Sequence, residues 1–134
     1  YDIHTRTDKQ YQRYDEGLIS DPLPWYRKGS PWGGSVAAPC TVMEYLWGYS
    51  MNGLGPLVGD SVGLFGAIEI GFEKGPFMMS RDYHLESRVV CVGQSPQTEY
   101  VWYETDAFDY LGDRVARLLI QSRAMKASSP AYQE

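Results

Sequence analysis

The sequence predicts an α+β fold in which an antiparallel sheet wraps around one long central helix. Three observations carry that expectation. The stretch APCTVMEYLWGYSMNGLG, residues 38–55, is apolar on nearly all sides when wound as a helix, so something must enclose it. Four strand-like segments follow between residues 64 and 126 with short connections, which favours antiparallel pairing. A greasy helix ahead of such a sheet has only the concave face to cross.

The elements follow in order. DKQYQRYDEGLI, residues 8–19, spaces Tyr11, Tyr14, Leu18 and Ile19 as a weakly amphipathic helix, which Pro22 and Pro24 should end. The chain is then irregular to about Ala38, punctuated by Pro22, Pro24, Pro31, Gly29, Gly33 and Gly34. Pro39 suits the first turn of the next helix, and Thr41 with Glu44 forms a potential capping box. Val42, Met43, Tyr45, Leu46 and Tyr49 make it apolar, and Asn52–Gly53 offers its stop. LFGAIEIGFE, residues 64–73, alternates with Ile68, Ile70 and Phe72 on one face. DYHLESRVVCV, residues 82–92, places Tyr83, Leu85, Val89 and Cys91 opposite His84, Glu86 and Arg88. TEYVWYETDAF, residues 98–108, and RVARLLIQSRAMK, residues 114–126, read as long strands joined by a turn at YLGD.

A chain of 134 residues fits one domain, here residues 1–134, able to bury a proper core. Hydrophobic residues at 43% and charged ones at 22% are the balance of a globular protein. Eleven of the aromatic side chains are tyrosines, whose buried hydroxyls need partners, so some should line a pocket or interface. A net charge of −5 argues against nucleic acid as a partner, and no run of 18 apolar residues exists to span a membrane. Cys40 and Cys91 lie outside any metal or CxxC spacing. Two free thiols in a reduced, cytoplasmic protein are the expectation, with a disulfide the alternative. With only His4 and His84 present, a His-based metal site is not expected, and His4 should lie in a frayed terminus. The chain begins at Tyr1 rather than Met, which leaves room for a segment upstream.

A curled sheet around a central helix is the hotdog arrangement, and three blocks carry a more specific likeness. ISDPLPWY, residues 19–26, resembles the hydratase motif of the MaoC-like branch of the hotdog superfamily, in which a catalytic Asp precedes an x-Asn-Pro-x-His run. Asp21 falls on the Asp, Pro24 on the Pro, Leu23 where the Asn belongs and Tyr26 where the His belongs. SPWGGSVAAP, residues 30–39, is similar to the turn leading into that family's central helix. GPFMMSRDYHLESRVV, residues 75–90, is similar to its strand pair, without the usual turn glycine. The likeness spans roughly residues 11 to 127 as blocks.

The resemblance implies a hydro-lyase that adds water to, or removes it from, an acyl thioester or related β-hydroxy carbonyl compound, without metal or redox cofactor. It implies Asp21 as base, Tyr26 as its partner, and backbone N–H groups near Ala38 and Cys40 as donors to the thioester carbonyl. Trp25 would flank the substrate, and Gly33 and Gly34 would let the backbone approach it. Asp21 is thereby expected to face a cavity beside the helix's N-terminal end. It further implies a homodimer, or pairing with a second hotdog subunit. Alternatives stand beside each role. Asp21 before a proline is also a turn former, Trp25 and Tyr26 are also core aromatics, and Gly33–Gly34 is also a plain turn. Cys40 is a nucleophile candidate near a helix start, or a small buried packing residue. Because histidine exchanges protons near neutrality and tyrosine does not, a second class of function is a non-catalytic hotdog that binds an acyl ligand or supports an active partner. A third is a thioesterase in which Glu44 activates water. His84, on the polar face of its strand, is either solvated or the site's only histidine.

Overall fold

The computed structural model describes residues 1–47, 62–129 and 132. Five antiparallel strands, β1 (Asp2–His4), β2 (Gly63–Phe72), β3 (Asp82–Gln94), β4 (Thr98–Phe108) and β5 (Arg114–Met125), form one sheet in the order β1-β3-β4-β5-β2. Helix α1 (Thr7–Asp15) precedes a 3₁₀ turn at Pro24–Tyr26, and helix α2 begins at residue 39 and is described to residue 47. The expected α+β hotdog arrangement is what the chain adopts.

The core forms where α2 meets the sheet. Val42 and Leu46, one helical turn apart, are fully buried. They share a cluster with Tyr83 and Leu85 of β3, Tyr103 and Ala107 of β4, and Ala116, Leu118 and Ile120 of β5. Register explains the facing set, because Tyr103 pairs with Ile120, which pairs in turn with Ile68. Similarly Leu118 pairs with Thr105 and Ile70. Trp47 meets Phe65 edge to face at 4.9 Å. On the other face, Arg88 and Arg117 clamp the carboxylates of Glu104 and Asp106, and Arg117 Nε lies 2.7 Å from Asp106 Oδ1.

Several local expectations are corrected. Helix α1 ends before either proline, at a Schellman motif in which Leu18 N–H donates to Arg13 O and Gly17, at φ 76°, supplies the left-handed residue. The N-terminus is not frayed, since β1 pairs with β3 and His4 Nδ1 lies 2.7 Å from Asp82. No capping box forms at α2. Glu44 instead binds Arg13 at 2.7 Å, and the Thr41 hydroxyl is buried without a partner among the described residues. On β3 the buried face stops at Leu85: Val89 is exposed although it is in phase with Leu85, and a register shift between Val89 and Cys91 puts Cys91, also exposed, out of that phase. The expected helix stop at Asn52–Gly53, with Tyr49, lies outside the described residues.

Two outcomes follow. Leu46→Ala should destabilise the fold by about 2–5 kcal/mol in a urea titration, the usual cost of emptying a fully buried site. For Asp106, burial alone would raise the carboxyl, but Arg117 and Arg88 outweigh it and hold the group below the ordinary range. With the folded value below the unfolded one, about 3.9, its contribution is present above that pH and lost as the pH falls through the lower folded value. Asp106→Asn should therefore flatten the acid limb of a pH–stability curve.

Candidate functional site

The segment from Ile19 to Ala38 folds into a small aromatic compartment at the start of α2. Asp21 Oδ1 accepts the Leu23 N–H at 2.9 Å, an Asx turn that aims the chain into the 3₁₀ turn. Pro24 opens that turn, and its carbonyl accepts from Arg27 and Lys28. Tyr26 is thereby driven inward, only 8% exposed, among Ile19, Val36, Ala38 and Met78. Trp25 packs at the rim, edge to face with the half-exposed Trp32 at 5.3 Å between centroids. Residues 35–38 are held against Phe77–Met79 by Ala37 N–H to Phe77 O and Met79 N–H to Ser35 O. This register delivers the chain to the first turn of α2.

One side chain ties these pieces together. Gln10 of α1, 1% exposed, donates from Nε2 to Tyr26 O at 2.6 Å and to Val36 O at 2.9 Å. Its Oε1 accepts the Ala38 N–H at 2.9 Å. One faint signal of this lies in the sequence. Gln10 stands four residues before Tyr14, a polar side chain on the helix's packed face.

The residues singled out from the sequence fall into different positions. Tyr26 and Ala38 are brought together directly, and Cys40 follows two residues on, in the first turn of α2. The Tyr26 phenol is pushed above its ordinary value, chiefly by burial and then by the charges of Asp21 and Cys40, so those two groups lie within its electrostatic reach. Asp21, however, is exposed to water rather than enclosed in a cavity. Ala38 cannot serve as a carbonyl donor, because its N–H is committed to Gln10. Pro39 has no N–H. The first-turn amides of Cys40 and Thr41 have no hydrogen-bond partner among the described residues and are the open donors of α2. Cys40 is exposed, not a buried packing residue.

Gly33, at φ 84°, closes a turn in which its N–H donates to Ser30 O, a geometry that favours glycine. A Cβ on Gly34 would meet Met78 at an ordinary 3.5 Å, so close approach does not require that glycine. Glu44, on the exposed side of α2, is engaged by Arg13. His84 is engaged by Asp2 at 2.8 Å on the β1–β3 ribbon. Among the described residues no three His, Cys, Asp or Glu side chains are grouped to hold a metal ion. No helix there is long and apolar enough to cross a membrane.

Solved structures of the hotdog fold superpose on the chain. It superposes on a subunit of the (3R)-hydroxyacyl-ACP dehydratase complex HadBC of Mycobacterium tuberculosis with a TM-score of 0.71 and 12% identity, over 92% of this chain and 90% of that one. It is similar to the MaoC-like dehydratase of Rhodospirillum rubrum at a TM-score of 0.59 and 15% identity, over 93% and 87%. A hot-dog-like protein of Thermanaerovibrio acidaminovorans aligns at 0.63 and 14% identity, over 98% and 80%. At these identities the likeness shows the fold. No family model and no curated protein matches the sequence.

Asp21→Asn removes one of the charges acting on Tyr26, so the phenol should titrate at lower pH, though still above its ordinary value because burial persists. Tyrosine-selective ¹³C NMR, with the Tyr26 resonance assigned by its loss in Tyr26→Phe, measures this. An unchanged titration would mean that the Asp21 carboxylate does not act on the phenol.

Proposed function

We propose that this chain is a MaoC-like hydro-lyase-type protein acting on an acyl thioester or related β-hydroxy carbonyl compound. The observation that carries the reading is the placement of the Tyr26 phenol, buried beside α2's first turn and within electrostatic reach of Asp21. The resemblance of ISDPLPWY to the hydratase motif and the dehydratases among the structural neighbours support the same reading. In this reading the thioester carbonyl accepts from the open N–H groups of Cys40 and Thr41, where the helix dipole favours the developing negative charge. Asp21 takes a proton from the water that adds to the β-carbon. Tyr26 gives one to the α-carbon, and solvent returns the proton from Asp21 to Tyr26. Trp25, with Trp32 against it, walls the substrate. We place the protein in the cytoplasm, consistent with two free, exposed thiols.

A second reading, a non-catalytic hotdog that binds an acyl ligand or supports an active partner, is favoured by two observations. A phenol raised above its ordinary value stays protonated at neutral pH, suited to donating a hydrogen bond rather than shuttling protons. Asp21 also lacks the enclosure that sharpens an acid–base pair. The thioesterase reading is weakened by the ion pair that holds Glu44 to Arg13.

The partner in either reading is a second hotdog subunit, identical or not. Strand β2 ends the sheet with Leu64, Phe65, Ile68 and Phe72 exposed, the kind of long apolar edge that chains normally pair or cover.

Hydration of a crotonyl thioester, followed by loss of its enoyl absorbance, tests the enzyme. Wild type should turn over, and Asp21→Asn should lower the rate roughly 10²–10⁴-fold. Inert wild type that gains activity on Tyr26→His would instead establish the second reading. Leu64→Lys should shift the protein toward monomer in sedimentation velocity. A wild type already monomeric at tens of micromolar, a rough working range set by typical assembly affinities, would remove the partner from the account.

A further inference from the structure

Every partner of the Gln10 side chain belongs to the site or its threshold. Its carboxamide spans α1, the 3₁₀ turn and the entry to α2, with all three hydrogen bonds at 2.6–2.9 Å. Ala38 is the residue whose carbonyl accepts the first intrahelical bond of α2, from Val42 N–H at 3.0 Å. Gln10 thus holds the backbone of Tyr26 against the backbone that launches the open amides of Cys40 and Thr41. Tyr26 and Ala38 belong to the smaller cluster, while the neighbouring Ala37 belongs to the one that packs on the strands. A backbone bond from Val36 N–H to Trp25 O at 2.8 Å joins the same two segments, and a side-chain tie runs in parallel, from the Tyr11 hydroxyl to Ser35 at 2.7 Å and from Ser35 to Lys28 O at 3.0 Å, but neither touches Tyr26 or Ala38.

We propose that Gln10 is the positioning residue of this site. Its carboxamide fixes the separation between the Tyr26 phenol and the carbonyl-binding amides of α2, and so the orientation in which a thioester is held. The proposal rests on the functional reading above for its ligand but not for its geometry. Methionine in this place keeps the volume and loses all three bonds. A glutamate keeps the acceptor for Ala38 N–H and loses both donations to the carbonyls, recovering one only when protonated.

The experiment uses the whole chain, with crotonyl-coenzyme A as probe and the Tyr26 ¹³C resonance as a reporter independent of any ligand. In folded Gln10→Met the Tyr26 phenol should titrate closer to its ordinary value, and affinity for the thioester should fall roughly ten-fold or more, as misplaced binding groups do. Tyr11→Phe, which cuts the parallel tie, should lose stability while keeping both readouts. If Gln10→Met does not fold, Gln10→Glu decides. Its Tyr26 resonance should be displaced at neutral pH and move back toward wild type as the pH falls. An unchanged Tyr26 signal and affinity in Gln10→Met, an equal loss in Tyr11→Phe, or a pH-independent spectrum in Gln10→Glu would overturn the assignment. Should wild type bind no thioester, the functional reading fails, and the Tyr26 spectrum alone still settles the role of Gln10.

Discussion

The enclosure of α2 by the sheet is the constraint on which the rest of the molecule depends. Val42 and Leu46 have no exposed surface, and each strand in contact with them presents its own apolar set at matching register. At about 25 cal/mol per Å² of apolar surface removed from water, such burial dominates the local energetics. The opposite face of the sheet is dressed with ion pairs centred on Asp106 and Glu104, so the two faces leave the sheet only one way to curl.

A second, smaller cluster is attached to this frame by polar bonds rather than by apolar area. Tyr26 sits in it, and the amide of Gln10 supplies donors to two carbonyls and an acceptor to an N–H that would otherwise be buried unpaired. Leaving such groups unsatisfied costs about 1–3 kcal/mol each, so this corner is specified by satisfaction of polar groups more than by shape. The result is a phenol, an exposed thiol and open helix amides gathered at one end of α2, with the Asp21 carboxylate outside them in water.

Most of the sheet was legible because alternation and turn residues are local signals. The segments read at 82–92, 98–108 and 114–126 match β3, β4 and β5 closely. What escaped was non-local. The three residues of β1 carry no pattern, and they become a strand only because β3 offers an edge and His4 and His84 find Asp82 and Asp2 across it. Thr41 and Glu44 have the spacing of a cap, but Arg13 outcompetes it, and a glutamine 28 residues away satisfies Ala38 instead. Cys91 read as sharing a face with Tyr83, Leu85 and Val89, but a bulge after Val89 takes it out of phase. The motif block singled out Asp21 and Tyr26, but the cavity expected for Asp21 is replaced by water. The burial of one and the exposure of the other depend on packing that no short stretch encodes.

In the function proposed above, α2's first turn and Tyr26 together receive a thioester carbonyl. A crystal structure with a non-hydrolysable acyl-thioester analogue tests it most directly. The analogue's carbonyl oxygen should lie within hydrogen-bonding distance of the Cys40 or Thr41 N–H, with its acyl carbons against Tyr26. An analogue seated elsewhere on the molecule, or none at saturating concentration, would contradict it.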